Sequence, residues 1–173
     1  MDEDAIKVEE RRVRKHPRKG DGGVYLVVVD DTPEFQVALR YAARCAESRR
    51  GYVALLHVFD VSDFQDWGNV EVRILNELRR EAEERTTKAA QKVYDLIGKV
   101  SAIYVTEGNP QSKVTEIVAS DDNLVCLVLA GGVTSNGSNP LITHFTSKAL
   151  GKLRVPIIIV PGNLDLSRID AIT

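Results

Sequence analysis

The chain has 173 residues, of which 43% are hydrophobic and 28% are charged. These values are ordinary for a globular protein, favour one domain, and exclude a wholly disordered or collagen-like chain. The 23 basic and 25 acidic residues leave a net charge of −2, so no electrostatic attraction to nucleic acid is expected. No apolar run reaches the roughly 18 residues of a membrane span, which argues against an integral membrane protein.

The two cysteines, Cys45 and Cys126, are too few for a disulfide framework, and their spacing matches no metal-binding motif. Free thiols are typical of the reducing cytoplasm. The start of the chain carries charges instead of the apolar segment of a signal peptide. The sequence therefore predicts a cytoplasmic protein without a bound metal.

Composition divides the chain into three parts. Residues 1–22 are densely charged and contain little that could form a core, so we expect a flexible tail. Residues 23–162 carry all the predicted strands and helices, and we expect residues 163–173 to form a C-terminal tail. Two interpretations of the first tail stay open: a solubilising segment, since its acids offset its bases, or an arm for an anionic partner. The basic residues of that arm would be Arg11, Arg12, Arg14, Lys15, Arg18 and Lys19.

The first predicted element is a buried strand. Residues 24–30 form a continuous apolar run that ends in Asp30, as expected for a strand covered on both faces. The next residues predict a turn and a helix start, with Thr32 as the N-cap and Pro33 as the first helical residue. Apolar residues at helical spacing follow, and Gly51 ends this helix.

The same alternation of strand and helix repeats along the chain. The second strand is followed by a loop and then by a long helix with one apolar stripe. A third helix follows the third strand, a Gly/Ser/Asn-rich loop follows the fourth strand, and a fourth helix precedes the last strand. The five predicted strands are residues 24–30, 52–59, 102–105, 124–130 and 155–160.

Strands without alternating polarity, separated by amphipathic helices, predict an α/β fold. We expect a doubly wound, Rossmann-like sheet of five parallel strands with helices on both faces. Ligands of such sheets bind beyond the carboxyl ends of the strands, where the strand order reverses. The segments at those ends are residues 30–32, 58–60, 107–110 and the loop 131–139.

Asp30 is the first candidate binding residue, because a carboxylate at a strand end can accept hydrogen bonds from a ribose hydroxyl or an adenine amine. The alternative is a capping role at the turn before the first helix. Glycines in the loop 131–139 could bring backbone N–H groups close to an anion, although neither a P-loop nor a GxGxxG pattern is present. His144 could face such an anion or lie on a helix surface, and His57 is either a core histidine or a ligand.

No group of residues predicts catalysis. Asp60, Asp63 and Asp66 form an acidic loop that lacks the glycine and the closing glutamate of a calcium site. The GxSxG elbow of a hydrolase is absent, and the two cysteines are expected to be inert core thiols. The sequence therefore favours a protein without enzymatic activity.

Several ordered motifs resemble the universal stress protein family over about residues 23–162. The first strand ends in a Val-Asp-x-Thr pattern through Asp30 and Thr32, the second ends in Leu-His-Val at residues 56–58, and Gly-x-Pro at residues 108–110 precedes the third helix. The resemblance implies the sheet order 3-2-1-4-5 and a homodimer formed by antiparallel pairing of the last strands. Such pairing would cover an apolar edge that is otherwise an aggregation liability. The residues of that edge are Pro156, Ile157, Ile158, Ile159 and Val160.

The resemblance also implies ATP as a candidate cofactor, with Asp30 and Val58 at the nucleoside and a glycine-rich loop at the phosphates. The family's ATP-binding pattern is Gly, two residues, Gly, nine residues, Gly, then Ser or Thr. A register that starts at Gly131 puts Thr134 at the second glycine, and no register recovers the second or third glycine. Side chains there can block close backbone approach, so we expect weak or absent ATP binding. The candidate nucleotide-binding residues are Asp30, Thr32, Val58, Gly131, Gly132, Thr134, Gly137, Ser138, Thr143 and His144.

Three hypotheses about function follow from these patterns. The leading one is a cytoplasmic, dimeric, non-catalytic stress-response or signalling module that acts through an unknown protein partner and binds ATP weakly or not at all. The second is an ATP-binding switch of the same family with slow hydrolysis, in which Gly137 and Ser138 rebuild an anion nest. The third, an unrelated α/β nucleotide enzyme, is disfavoured because residues 30–33 form neither the turn of an ATP pyrophosphatase nor that of a flavodoxin.

Overall fold

The computed structural model describes residues 22–60, 69–132 and 139–173, and the side chains of residues 69–71 lie outside that description. The predicted charged tail, apart from its last residue, and most of the acidic loop therefore lie outside the described residues. The elements are β1 Val24–Val28, α1 Phe35–Ser48, β2 Tyr52–Phe59, α2 Asn69–Ile97, β3 Ala102–Glu107, α3 Pro110–Ser120, β4 Leu124–Gly131, α4 Pro140–His144, β5 Ile157–Pro161 and α5 Leu166–Ile172.

The five strands form one sheet in the order β3-β2-β1-β4-β5, and every neighbouring pair is parallel. Leu26 and Val27, adjacent residues of the central strand β1, are both fully buried although they point to opposite faces. A strand covered on both sides reads as a continuous apolar run, which is why its sequence does not alternate. The predicted doubly wound sheet and its order are confirmed.

Helices cover both faces of this sheet and enclose two hydrophobic clusters. Tyr25 and Val27 of β1, with Val29 just beyond its end, belong to a cluster that includes residues of α1, α2 and α5. Val24 and Leu26 belong to the opposite cluster, with residues of α3 and α4. The carboxyl ends of β1 and β2 therefore open beside α1 and α2.

The C-terminal residues differ from the expected tail, because residues 166–172 form helix α5. The Asp165 carboxylate caps it by accepting a hydrogen bond from Ser167 N at 2.7 Å. Ile169 is fully buried in the cluster under α1, and Asp170 pairs with Arg40. A seven-residue helix is too short to be stable alone, so contacts with α1 stabilise α5. A helix this short also shows too little apolar periodicity to be predicted from the sequence.

The helix boundaries correct two further expectations. Helix α1 begins at Phe35, and Thr32 accepts a backbone bond from Phe35 N at 3.2 Å without capping the helix through its side chain. The predicted fourth helix is not a uniform α-helix. Its α-helical part, α4, ends at His144, and a π-helical turn at Phe145–Ala149 and a 3₁₀ turn at Leu150–Lys152 follow. The hydroxyls of Thr146 and Ser147 donate to carbonyl oxygens one turn earlier, a contact that often bends helices.

Candidate functional site

A cleft of about 320 Å³ opens at the carboxyl ends of β1 and β2, against one side of α2. The strand ends supply the inner wall, and four residues from about two turns of α2, on one side of the helix, supply the outer wall. This is the edge of the sheet at which parallel α/β folds bind ligands. The lining residues are Val29, Asp30, Asp31, His57, Val58, Phe59, Leu78, Glu81, Ala82 and Arg85.

Asp30 lines this cleft and also shapes the turn that follows β1. Its Oδ1 accepts hydrogen bonds from Thr32 N at 2.9 Å and from Thr32 Oγ1 at 2.5 Å. This is an Asx turn, in which a carboxylate replaces a backbone carbonyl. Asp30 therefore caps the turn, and Thr32 stands beside it as an exposed donor.

An ion pair crosses the mouth of the cleft. Arg85 Nη1 on α2 donates to Asp31 Oδ1 in the loop after β1, and Arg85 Nη2 lies 4.0 Å from the Glu81 carboxylate. The side chains of Arg85 and Asp31 are 41% and 71% exposed. An exposed pair of this kind contributes little to stability, so it can exchange partners easily.

His57 lies in the wall of the cleft next to Val58. Burial lowers the pKa of His57 below its ordinary value, because a desolvated imidazolium is disfavoured; a hydrogen bond with the Val29 backbone and the nearby Asp30 charge oppose this in part. His57 is therefore neutral at pH 7. Its Nδ1 atom is buried and has no hydrogen-bond partner within the described part of the chain, and this position fits the predicted core histidine better than a first contact for a ligand.

Gly131 and Gly132 lie at the carboxyl end of β4. This strand neighbours β1 on the side away from the cleft. Gly131 O accepts a hydrogen bond from Gly162 N at 2.9 Å. A Cβ on Gly162 would come within 2.6 Å of that carbonyl and 2.1 Å of Glu34 Cγ, so Glu34 at the start of α1 packs against this corner. The Asn139 carboxamide accepts from Leu141 N at 2.9 Å and caps α4.

The fold and these strand ends agree with a comparison of the chain with known families. A model described as the Universal stress protein family matches residues 25–161, which is most of the chain. The chain belongs to this family. A comparison with curated proteins found no match.

Solved structures, two of them of universal stress proteins, share this architecture. UspA from Lactobacillus plantarum has a TM-score of 0.68 at 16% identity, over 80% of this chain and 97% of that one. The hypothetical protein MJ0577 has a TM-score of 0.67 at 19% identity, over 84% of this chain and 99% of that one. A universal stress protein from Burkholderia pseudomallei has a TM-score of 0.60 at 18% identity, over 80% and 96% of the two chains. At these identities the likeness concerns the fold alone.

The universal stress protein fold brings only some of the predicted nucleotide residues together. Asp30 and Val58 line the cleft, and Thr32 bonds to Asp30. Gly131 and Gly132 belong to the neighbouring corner at β4. Thr143 is exposed on α4 and the ring of His144 packs edge-on to Phe145 at 5.1 Å, whereas Thr134, Gly137 and Ser138 lie outside the described residues.

Sequence reasoning missed the α2 wall of the cleft. Leu78, Glu81, Ala82 and Arg85 recur at helical spacing, which does place them on one stripe. The sequence does not show which end of a 29-residue helix overlies the strand ends. Charged residues on such a helix are otherwise ordinary surface positions, so no sequence signal distinguishes Glu81 or Arg85.

The cysteines of this universal stress protein have the environment of core thiols. Burial raises the pKa of Cys126 to about 12, and burial also raises that of the half-buried Cys45. Thiols with raised pKa values are poor nucleophiles at pH 7. Within residues 22–60, 69–132 and 139–173, no group of three or more His, Cys, Asp or Glu could hold a metal ion, and no helix is long and apolar enough to cross a membrane.

Proposed function

We propose that the protein is a dimeric, non-catalytic stress-response or signalling module that binds ATP weakly or not at all. The observation that carries this proposal is the charge of the cleft at the expected ligand position. Asp30, Asp31 and Glu81 place three carboxylates around it, and the lining guanidinium of Arg85 is already paired. A nucleotide whose nucleoside lay in this cleft would bring its phosphates towards these carboxylates, and the like charges would raise the free energy of binding.

The corner at the end of β4 supports the same proposal. The Glu34 side chain packs against Gly162, and the Gly131 carbonyl bonds to Gly162 N, so this corner is closely packed where the loop begins. The loop sequence lacks the second and third glycines of the family's ATP pattern. Cβ atoms at those positions restrict the close backbone approach on which phosphate loops depend.

The alternative is an ATP-binding switch with slow hydrolysis. Its support is the position of Asp30 and Val58 in one cleft, and the pair of glycines that ends β4 beside the capped start of α4. Calorimetric titration of nucleotide-stripped protein with ATP and magnesium, with AMP as the control, separates the two proposals. No heat at millimolar ATP is the expected result, and tight binding of ATP but not AMP would establish the switch.

A second copy of the chain is the proposed partner of strand β5. This strand is an outer strand of the sheet, and its residues Ile157–Pro161 are nearly all apolar. Ile159 is 42% exposed, whereas Val160 is buried against the cluster under α1. An apolar outer strand that stayed unpaired would be an aggregation liability, so antiparallel pairing with a copy of itself is favoured.

The proposed location is the cytoplasm, with an unknown protein partner receiving the signal. Both cysteines are free thiols, as is usual in a reducing compartment. The net charge of −2 gives no electrostatic reason to bind nucleic acid or an anionic membrane surface.

A further inference from the structure

Most of the charged groups that line the cleft are carboxylates. Asp30, Asp31 and Glu81 carry three negative charges against the single positive charge of Arg85, so the lining has a net charge of −2. Ionised carboxylates accept hydrogen bonds and cannot donate them. Since Arg85 is engaged by Asp31, the described lining residues offer a ligand carboxylate acceptors and no unpaired cationic side chain.

Apart from His57, the remaining lining residues are apolar. Val29, Val58, Phe59, Leu78 and Ala82 contribute hydrocarbon surface between the strand ends and α2. The volume of about 320 Å³ is at the lower end of the roughly 300–1,000 Å³ typical of small-molecule sites. The cleft thus combines a small apolar interior with a rim of carboxylates.

We propose that this cleft binds a small organic cation, an amine or amidinium carried on a compact apolar body. The body would lie against Val58 and Ala82, and the N–H donors would face the carboxylates of Asp30 and Glu81. Both hydrogen bonds from Thr32 go to Oδ1 of Asp30, and the second oxygen is the one that would face the ligand. The proposal deepens the proposed function, since it names the ligand class of the same site, but it does not require the dimer.

The ion pair at the mouth explains how such a ligand enters. A cationic ligand can replace Arg85 as the partner of Asp31, and Arg85 then turns into solvent. The exchange keeps the charge at Asp31 balanced, and it is easy because both side chains are already substantially exposed. An anionic ligand cannot replace Arg85 as the partner of Asp31. It would instead compete with Asp31 for Arg85, and the three carboxylates of the cleft would repel it.

A series of three ligands of nearly the same shape tests this inference. Benzamidine carries a positive charge, benzamide is neutral and benzoate is negative. Titration of the isotope-labelled full chain, followed by amide chemical shifts, should show benzamidine shifting the signals of Val29, Val58 and Ala82. Benzamide should bind about tenfold more weakly, because charge-assisted hydrogen bonds are lost, and benzoate should leave these signals unchanged.

Three substitutions on α2 then assign the charge effect to the cleft. Glu81→Gln should weaken benzamidine binding several-fold, and Arg85→Gln should strengthen it, because Asp31 then becomes free. Glu84→Gln is the matched control: Glu84 is exposed on the same helix, pairs with Arg80 at 2.7 Å and does not line the cleft. A general change in helix stability would not give opposite signs at Glu81 and Arg85.

The inference is wrong if excess benzamidine leaves the cleft signals unmoved, if all three ligands shift them equally, or if Glu81→Gln binds like Glu84→Gln. Its failure is distinguishable from failure of the proposed function. Tight ATP binding in the calorimetric titration would overturn the proposed function whatever benzamidine does. Absence of both ATP and benzamidine binding would leave the proposed function standing and overturn only the organic-cation site.

Discussion

Asp170 of α5 accepts two hydrogen bonds from the guanidinium of Arg40 on α1, one from Nε at 2.9 Å and one from Nη2 at 2.5 Å. This two-point contact fixes both the distance and the orientation of the two side chains. Arg44, one turn further along α1, adds a bond of 3.0 Å to the same carboxylate. The contact therefore holds α5 against α1. Helix α5 lies outside residues 25–161, the part of the chain that matches the family.

The contact predicts a pH-dependent stability. The Arg40 guanidinium lowers the pKa of Asp170 from its ordinary 3.8 to about 2. A carboxyl group whose folded-state pKa is depressed contributes stability above its unfolded pKa and loses it as pH falls towards the folded value. Asp170→Asn should therefore lower the urea midpoint at pH 7, and the difference from wild type should disappear as pH falls from about 4 to about 2.

Asp122→Asn is the control for this measurement, because the Asp122 side chain is 85% exposed and its contact with Arg154 is 3.3 Å long. Its urea midpoint should match wild type throughout the range. A difference between Asp170→Asn and wild type that stayed constant down to pH 2 would contradict the assignment of this carboxylate.

The packing of α5 predicts a second effect on stability. Ile169 is fully buried beneath α1, so Ile169→Ala should leave a cavity and reduce the free energy of unfolding by about 2–5 kcal/mol. Ile172→Ala, three residues along the same helix, removes a side chain that is 49% exposed and should change it by only about 0.5 kcal/mol. Equal effects in chemical denaturation would mean that α5 does not dock as described.

The sequence was sufficient to predict the sheet but not all of the helices that pack on it. Buried strands such as Val24–Val28 are recognisable because both faces are apolar, and alternation with helices fixes a parallel order. Helix α5 has no comparable signal, since its stability comes from Ile169 and Asp170 meeting α1. Long-range contacts of that kind are not encoded in local periodicity.

The same division holds for the candidate site. Asp30 and Val58 could be predicted because they end neighbouring parallel strands, and the carboxyl ends of such strands meet at one edge. Glu81 and Arg85 could not, because their position depends on how far α2 extends over that edge. The charge of the cleft, which decides the ligand class, therefore became apparent only from the packing of α2.

The corner between β4 and β5 predicts that Gly162 tolerates no side chain. A Cβ there would lie 2.6 Å from the Gly131 carbonyl oxygen and 2.1 Å from Glu34 Cγ. Gly162→Ala should force the chain apart at this corner and destabilise the fold by about 1–3 kcal/mol. Gly151→Ala is the control, because nothing lies within 4 Å of a Cβ at that position. Thermal unfolding that ranked the two variants equally would argue against this close approach.

The two outer strands of the sheet give a matched test of the proposed dimer. Ile159 on β5 and Ile103 on β3 are 42% and 37% exposed, so glutamate at either position should cost the monomer little. Wild type should show twice the chain mass of 19.1 kDa by light scattering. Ile159→Glu should reduce this to the mass of one chain, because it would place a carboxylate in the apolar pairing of the two β5 strands. Ile103→Glu should stay dimeric, and dissociation by Ile103→Glu alone would move the interface to β3.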